Sequence, residues 1–346
     1  MVNTMKKVKD CTLSFILCSA IVILIVFSQQ AKAGARDGIA LCENIIIPSL
    51  LPILIISNLI IKSRCASVIE FIFAPIFEKL FRLPGCCASP VILGLVGGYP
   101  TGAVLTKQLY LSDRIDEKTA NRLMHFNFCG GAAFIICVVG SICYSSIKTG
   151  VVLYISNLLS SVIICLFDAF FERERALNNR TKRQYLSMND ALVEAVNTTV
   201  NSLLVMCAYI ILFSAVTSII PLPEYMYALF EITNGICSSK TPLPLEYCSL
   251  FTAFGGFCIH FQLLGMLREM KINYFSFFLY RVAGAILSFG ITKLFVRCFE
   301  QTAAVFSNIT QAAPKLSTVN TGLSLLMVIG CAVIILEIEN KKIKLP

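Results

Sequence analysis

The chain has 346 residues, of which 57% are hydrophobic and only 14% charged, and its mean hydropathy is +0.79. A soluble domain of this length needs far more polar surface, so one membrane domain fits better than two soluble ones. The net charge of +9 does not point to nucleic acid, because the basic residues sit in short loops between apolar runs, where membrane topology is set.

In chain order, Lys6, Lys7 and Lys9 precede a first apolar span at 11–33. Ala31-Lys32-Ala33 gives this segment the look of a signal peptide. The apolar run is longer than the ~7–15 residues of a signal core, which favours an uncleaved helix. In either case the next segment begins outside. Span two, 39–61, ends at Lys62 and Arg64. The stretch 66–82 mixes Ile, Phe and Leu with Glu70, Glu78, Lys79 and Arg82, and reads as an amphipathic helix in the interface. Residues 86–106 are apolar but broken by Pro90, Gly94, Gly97, Gly98, Pro100 and Gly102. The polar stretch 107–122 is helical, with Ser112 or Asp113 as its cap and Asp116 and Glu117 in its first turn.

Spans three (123–144) and four (150–170) follow, then a loop at 171–185 with Arg173, Arg175, Arg180, Lys182 and Arg183. So basic a loop belongs in the cytoplasm. Span five, 197–220, is ended by Pro221 and Pro223, and 224–245 is again apolar and broken. Spans six (246–267), seven (274–296) and eight (321–338) lead to a tail with Lys341, Lys342 and Lys344.

A cytoplasmic N-terminus, with 86–106 and 224–245 each entering and leaving on one side, sorts the charges well. The cytoplasmic side then holds most of the basic residues, Arg114, Lys118, Arg122 and Arg281 among them. The outside keeps Lys32, Arg36, Lys148, Lys240, Lys293, Arg297 and Lys315. The expected fold is therefore all-α and polytopic, with about eight transmembrane helices and two re-entrant hairpins. The Asn308-Ile309-Thr310 sequon would lie outside. The 16 cysteines lie largely in apolar segments, for example Cys18, Cys137, Cys143, Cys165 and Cys207, where they act as small hydrophobes. Cys86-Cys87 has no neighbouring His or Cys cluster, so no metal site and no cofactor is expected.

The two halves are alike in pattern. Each opens with a long apolar helix, continues into a broken segment with a polar tip, and then has a span with a double glycine. The tips are Gly97-Gly98-Tyr99-Pro100-Thr101-Gly102 and Glu231-Ile232-Thr233-Asn234-Gly235. The double glycines are Gly130-Gly131 and Gly255-Gly256. Span four makes the count odd, so the second unit starts on the opposite side. That is an inverted repeat, a device of secondary transporters. The organisation is a first helix (1–33), a first repeat with a linking helix (34–170), the basic loop (171–185), a second inverted repeat (186–272), and C-terminal helices with a basic tail (273–346).

Irregular backbone at membrane depth is tolerated only where it is buried in protein or lines a polar cavity. The candidate solute-binding residues are accordingly Gly98, Tyr99, Pro100, Thr101, Gly102, Asn127, Gly130, Gly131, Glu231, Thr233, Asn234, Gly255, Gly256, His260 and Gln262. Glu231 is the sharpest of them, since a carboxylate in an apolar segment is costly. His260 and Gln262 put two polar groups at one depth, and His260 is able to titrate. His125 reads as interfacial. No nucleophile–base pair, phosphate loop or zinc spacing appears, so the chain does not read as an enzyme. A structural or assembly protein is the reading from another class, and it would need neither Glu231 nor broken helices.

The run Gly98-Tyr99-Pro100-Thr101-Gly102-Ala103, followed by Leu109-Tyr110, Ile115, Ala120 and Gly131-Ala132-Ala133-Phe134-Ile135, resembles the sporulation integral membrane proteins that carry a nucleoside recognition, or Gate, domain. Phe230 to Gly235, Gly255 to Gln262 and Pro48-Ser49-Leu50-Leu51-Pro52 resemble further motifs of that family. The resemblance spans roughly 35–300. It implies a spore-forming bacterium, the outer forespore membrane, and movement of dipicolinic acid toward the forespore. The chain departs from the family's pattern at Val104, Cys129 and Ala132, which leaves a nucleoside or another small polar solute as the alternative. The implied partners are such a solute and the lipid bilayer, with room for a homo-oligomer and none for nucleic acid.

Overall fold

The computed structural model describes residues 2–172, 186–220, 224–237, 243–267 and 269–306. Among these, every regular element is a helix. The basic loop, Lys240, the sequon, span eight and the tail all lie outside the described residues.

Helix α1 (Val2–Val26) meets α2 (Ser28–Leu41) at Phe27, whose φ and ψ are −100° and 33°. α2 continues through a wide π-type turn at Cys42–Ile46 into α3 (Ile47–Lys62). The chain therefore bends at Phe27, and not between 33 and 39 as the sequence suggested. Gly34 and Gly38 do not break the helix. A Cβ on Gly34 would stand 2.4 Å from the carbonyl oxygen of Ser214, and one on Gly38 2.9 Å from Cα of Ile211. The two glycines let α9 (Met188–Thr217) approach backbone to backbone.

α4 (Cys65–Lys79) keeps Val68, Phe71 and Ile72 exposed along one side, as an interfacial helix would. α5 (Ala88–Gly97) and α6 (Tyr99–Leu111) fold back on each other about Gly98. A 10-residue helix such as α5 is about 15 Å long, half the ~30 Å hydrocarbon core. The cap of α7 (Glu117–Phe126) is Asp116, not Ser112 or Asp113: its carboxylate accepts from the amide of Thr119 at 2.9 Å. Ser112 closes α6, and Asp113 turns the chain at φ 52°.

The expected span at 123–144 is interrupted. α7 stops at Phe126, 127–131 is irregular, and a π-helix runs from Ala133 to Cys143. Cys143, read from sequence as a packed thiol, is disulfide-bonded. α8 (Ile147–Phe171) and α9 start on the side-chain caps of Ser146 and Ser187. The short helices α10 (Glu224–Phe230) and α11 (Ile232–Cys237) pack against each other with Glu231 between them. α12 (Leu245–Phe254) and α13 (Gly256–Met266) are separated by Gly255 alone, and α14 (Tyr274–Phe306) follows.

Five helical stretches among the described residues are long and apolar enough to cross a bilayer: Ser28–Lys62, Ile147–Phe171, Met188–Thr217, Leu245–Met266 and Tyr274–Cys298. Large apolar side chains such as Phe15, Phe71, Phe170 and Phe275 are exposed on the outer surface, which suits lipid and not water. The chain is an all-helical, polytopic membrane protein, and its solvent is the bilayer.

α9 runs antiparallel to α2–α3. At one end Lys62 pairs with Glu194, and the Leu186 amide donates to the Lys62 carbonyl at 3.3 Å. At the other, the Ser218 hydroxyl donates to the Gln30 carbonyl at 2.8 Å. A network of ion pairs joins the ends of α4, α6, α7 and α8. Arg114 holds Glu70 (2.9 Å), Lys118 holds Glu172 (2.9 Å), and the buried Arg122 holds Asp168 (2.6 Å). The basic members of this network are residues that the charge pattern assigned to the cytoplasm.

Candidate functional site

Four interruptions of helical backbone lie in the core: Gly98, the stretch 127–131, Glu231 and Gly255. Gly98 meets the stretch 127–131, that stretch meets Gly255, and the neighbours of Glu231 on the second hairpin meet Gly256. Gly98 has φ 89° and ψ −165°, a conformation open essentially to glycine alone. A Cβ there would meet the amide nitrogen of Gly131 at 2.6 Å, and a Cβ on Gly131 would meet the carbonyl of Gly97 at 2.9 Å. The first hairpin tip and the first broken span are thus in backbone contact.

Tyr99, beside Gly98, carries the contact to the second half. Its hydroxyl donates to the backbone carbonyl of Thr252, and its ring packs edge-on to Phe128 at 5.2 Å between centroids. A Cβ on Gly130 would fall 3.2 Å from the Tyr99 oxygen. A Cβ on Gly255 would fall 3.0 Å from the Phe128 ring and 3.4 Å from that of Tyr99. Gly256 (φ 60°) faces Ile232 and the carbonyls of Leu229 and Ala228, which brings in the second hairpin.

Glu231 is buried. Its carboxylate accepts from the amide of Thr233 at 3.0 Å, which caps the short helix α11. Thr233 is buried with it. The side chains of Pro100 and Asn234 lie outside the described residues.

Asn127 braces the first hairpin from behind. Its Nδ2 donates to the carbonyls of Pro90 on α5 and Gly102 on α6, both at 3.2 Å, while its buried Oδ1 has no hydrogen-bond partner among the described residues. Gly102 admits this side chain, since a Cβ would stand 2.3 Å from the Asn127 carbonyl. Thr101 turns the other way, into a small cavity that it shares with Leu54, Asn58, Val104, Thr199 and Ser202. The cavity is about 10 Å³, the room of roughly one water molecule. The Thr101 hydroxyl is buried and has no partner among the described residues, while Asn58 donates to Thr199 Oγ1 at 3.0 Å.

His260 is enclosed by aromatic rings, the nearest being Phe254, stacked at 4.7 Å. Its Nε2 faces the Phe254 carbonyl at 3.1 Å and its Nδ1 the Tyr274 hydroxyl at 3.0 Å. A carbonyl can only accept, so Nε2 carries a proton and Nδ1 is free to accept from Tyr274. Gln262, two residues on, points to Cys258 Sγ at 3.4 Å.

Two buried polar groups join the site from α7 and α14. His125, read from the sequence as interfacial, is buried. It is bonded to Asp168 at 3.1 Å and to Ser276 at 3.0 Å, and stacked on Tyr280 at 3.8 Å. Arg281, counted among the cytoplasmic charges, is only 2% exposed and lies inside α14. Its two Nη atoms donate to the carbonyls of Phe128 and His125, in the first broken span. Asn58, Thr199 and Arg281 carry little signal in the sequence, because each takes its role from a distant partner. The one local signal was a polar or charged side chain inside an apolar span.

The chain is similar to the sporulation integral membrane protein YlbJ of Bacillus subtilis (strain 168). The two are 25% identical over 360 aligned positions, which cover 88% of each chain. Coverage this wide means that the likeness runs through the body of the protein and is not confined to one motif. No family model matches the chain, and no solved structure matches it significantly.

Proposed function

We propose that this chain is a sporulation membrane protein that carries a small organic anion, with dipicolinic acid the first candidate, across the outer forespore membrane. The observation behind the reading is the convergence of four helix interruptions, with Tyr99, Asn127, Glu231 and Thr233 buried among them. Irregular backbone at membrane depth is tolerated where it is buried in protein or lines a polar cavity, and buried polar groups gathered beside it support the second use. The free amides at the N-terminus of α6 favour an anion. The similarity to a protein named for sporulation supports the setting.

The antiparallel pairing of α2–α3 with α9, each followed by a helical hairpin and then a glycine-broken span, supports an inverted repeat and alternating access. The hairpins α5–α6 and α10–α11 would each enter and leave the bilayer on one side. A dianion moved against a potential costs ~2.3 kcal/mol per charge per 100 mV, so coupling or consumption on the far side belongs to the mechanism.

The test is uptake into liposomes that hold the purified chain, with labelled dipicolinate beside a panel of nucleosides. Saturable dipicolinate uptake is expected. Nucleoside uptake alone would keep the transport mechanism and discard the sporulation solute. Uptake of neither, in correctly inserted protein, would favour a structural or assembly role.

A further inference from the structure

Arg281 stands first among the largest fully enclosed side chains of the molecule. It lies seven residues beyond the Tyr274 start of α14, about 10 Å along the axis. A guanidinium has five N–H donors and is always charged. Here one Nη donates to the Phe128 carbonyl and the other to the His125 carbonyl, closing the C-terminal end of α7. The buried Nε has no hydrogen-bond partner among the described residues. Among the described residues no carboxylate pairs with Arg281; Asp168, which bonds His125, is already held by Arg122 and His125. The rings of Phe128 and Phe277 flank the guanidinium, with centroids 5.5 and 5.7 Å from Cζ.

Capping a helix explains two donors, but not a full positive charge kept out of water without an anion. A buried charge is stable only when paired, and an intramembrane one marks a functional site. Arg281 also grips the carbonyl of Phe128, the residue whose ring touches Tyr99 and covers Gly255.

We propose that Arg281 is the anion-binding group of the solute site. It receives one carboxylate of the passenger when the stretch 127–131 parts from Tyr99 and Gly255. The unused Nε and Nη hydrogens then grip both carboxylate oxygens as a fork, geometry that a lysine cannot supply. The inference rests on the transport reading above and narrows it: the site selects a carboxylate over a neutral solute of the same shape.

The test compares binding of pyridine-2,6-dicarboxylate and its neutral diamide to the purified full-length chain, beside Arg281→Gln and Arg281→Lys. The unmodified chain should prefer the dicarboxylate. Arg281→Gln should weaken dicarboxylate binding roughly 10- to 100-fold, the range of a charged hydrogen bond, and abolish the preference. Arg281→Lys keeps a cation near the helix end and should fall between. It decides the matter if the Gln variant does not fold, because an unchanged preference in the Lys variant would overturn the fork. Equal binding of both compounds by the unmodified chain, or an undiminished preference in a folded Arg281→Gln variant, would overturn the inference and leave transport itself standing. Arginine-dependent binding without any liposome uptake would keep the anion site and remove the transport reading.

Discussion

The hydroxyl of Tyr99 donates to the backbone carbonyl of Thr252, which ties the tip of the first helical hairpin to the helix leading into the Gly255 break. Both groups are buried, and the residues are far apart in sequence. Tyr99→Phe leaves the ring and its contact with Phe128 but removes the donor. Leaving a buried acceptor without its donor should cost about 1–3 kcal/mol. A lowered melting temperature of the purified protein is expected; an unchanged one would show that the tie is not made.

Gly98 combines a strained backbone with a close backbone neighbour. Its backbone conformation disfavours any side chain, and an added methyl group would press on the Gly131 amide at 2.6 Å. Gly98→Ala should lose at least about 2 kcal/mol, from strain and overpacking together. Gly290, with nothing within 4 Å of its would-be Cβ, is the control: Gly290→Ala should be neutral or slightly stabilising. Recovery of monodisperse protein and its thermal midpoint compare the two. Equal behaviour would refute the close approach of the first two breaks.

Asp168 sits between Arg122 and His125 near the end of α8, almost wholly buried. Asp168→Asn keeps the shape but removes the nearer anion of Arg122 and leaves it only Glu172 at 4.0 Å, which should cost up to about 3–5 kcal/mol. The pair of the exposed Lys118 with Glu172 is a useful contrast, since Lys118→Ala should cost no more than about 1 kcal/mol. Chemical denaturation or thermal melting of the two variants separates a buried pair from a surface one.

Much of this arrangement could be read in the chain, and the rest could not, for physical reasons. The density of Gly and Pro at 86–106 announced the α5–α6 hairpin, because those residues disrupt helical backbone wherever they occur. The double glycines belong by hydropathy to continuous spans at 123–144 and 246–267, yet the helix is broken at both places, over 127–131 and at Gly255. Gly34 and Gly38 carry the same local signal and yet sit in an unbroken helix, because the approach of α9 sets their use. The sequence likewise could not separate Arg281 from Arg114. The charge pattern counts both among the cytoplasmic charges; Arg114 meets Glu70, and Arg281 meets two backbone carbonyls in the core. Hydropathy reports how costly a charge is, whereas only the packing shows what it faces.

The central claim is that a solute passes where the four interruptions meet, and Glu231 tests it most directly. Glu231→Gln removes the charge and can keep the acceptor for the Thr233 amide, so folding should be preserved. Liposomes carrying equal amounts of folded unmodified and Glu231→Gln protein should differ in initial dipicolinate uptake by about tenfold or more, the equivalent of ~1.4 kcal/mol. Equal uptake by the two proteins would contradict the account and move the transport path away from this site.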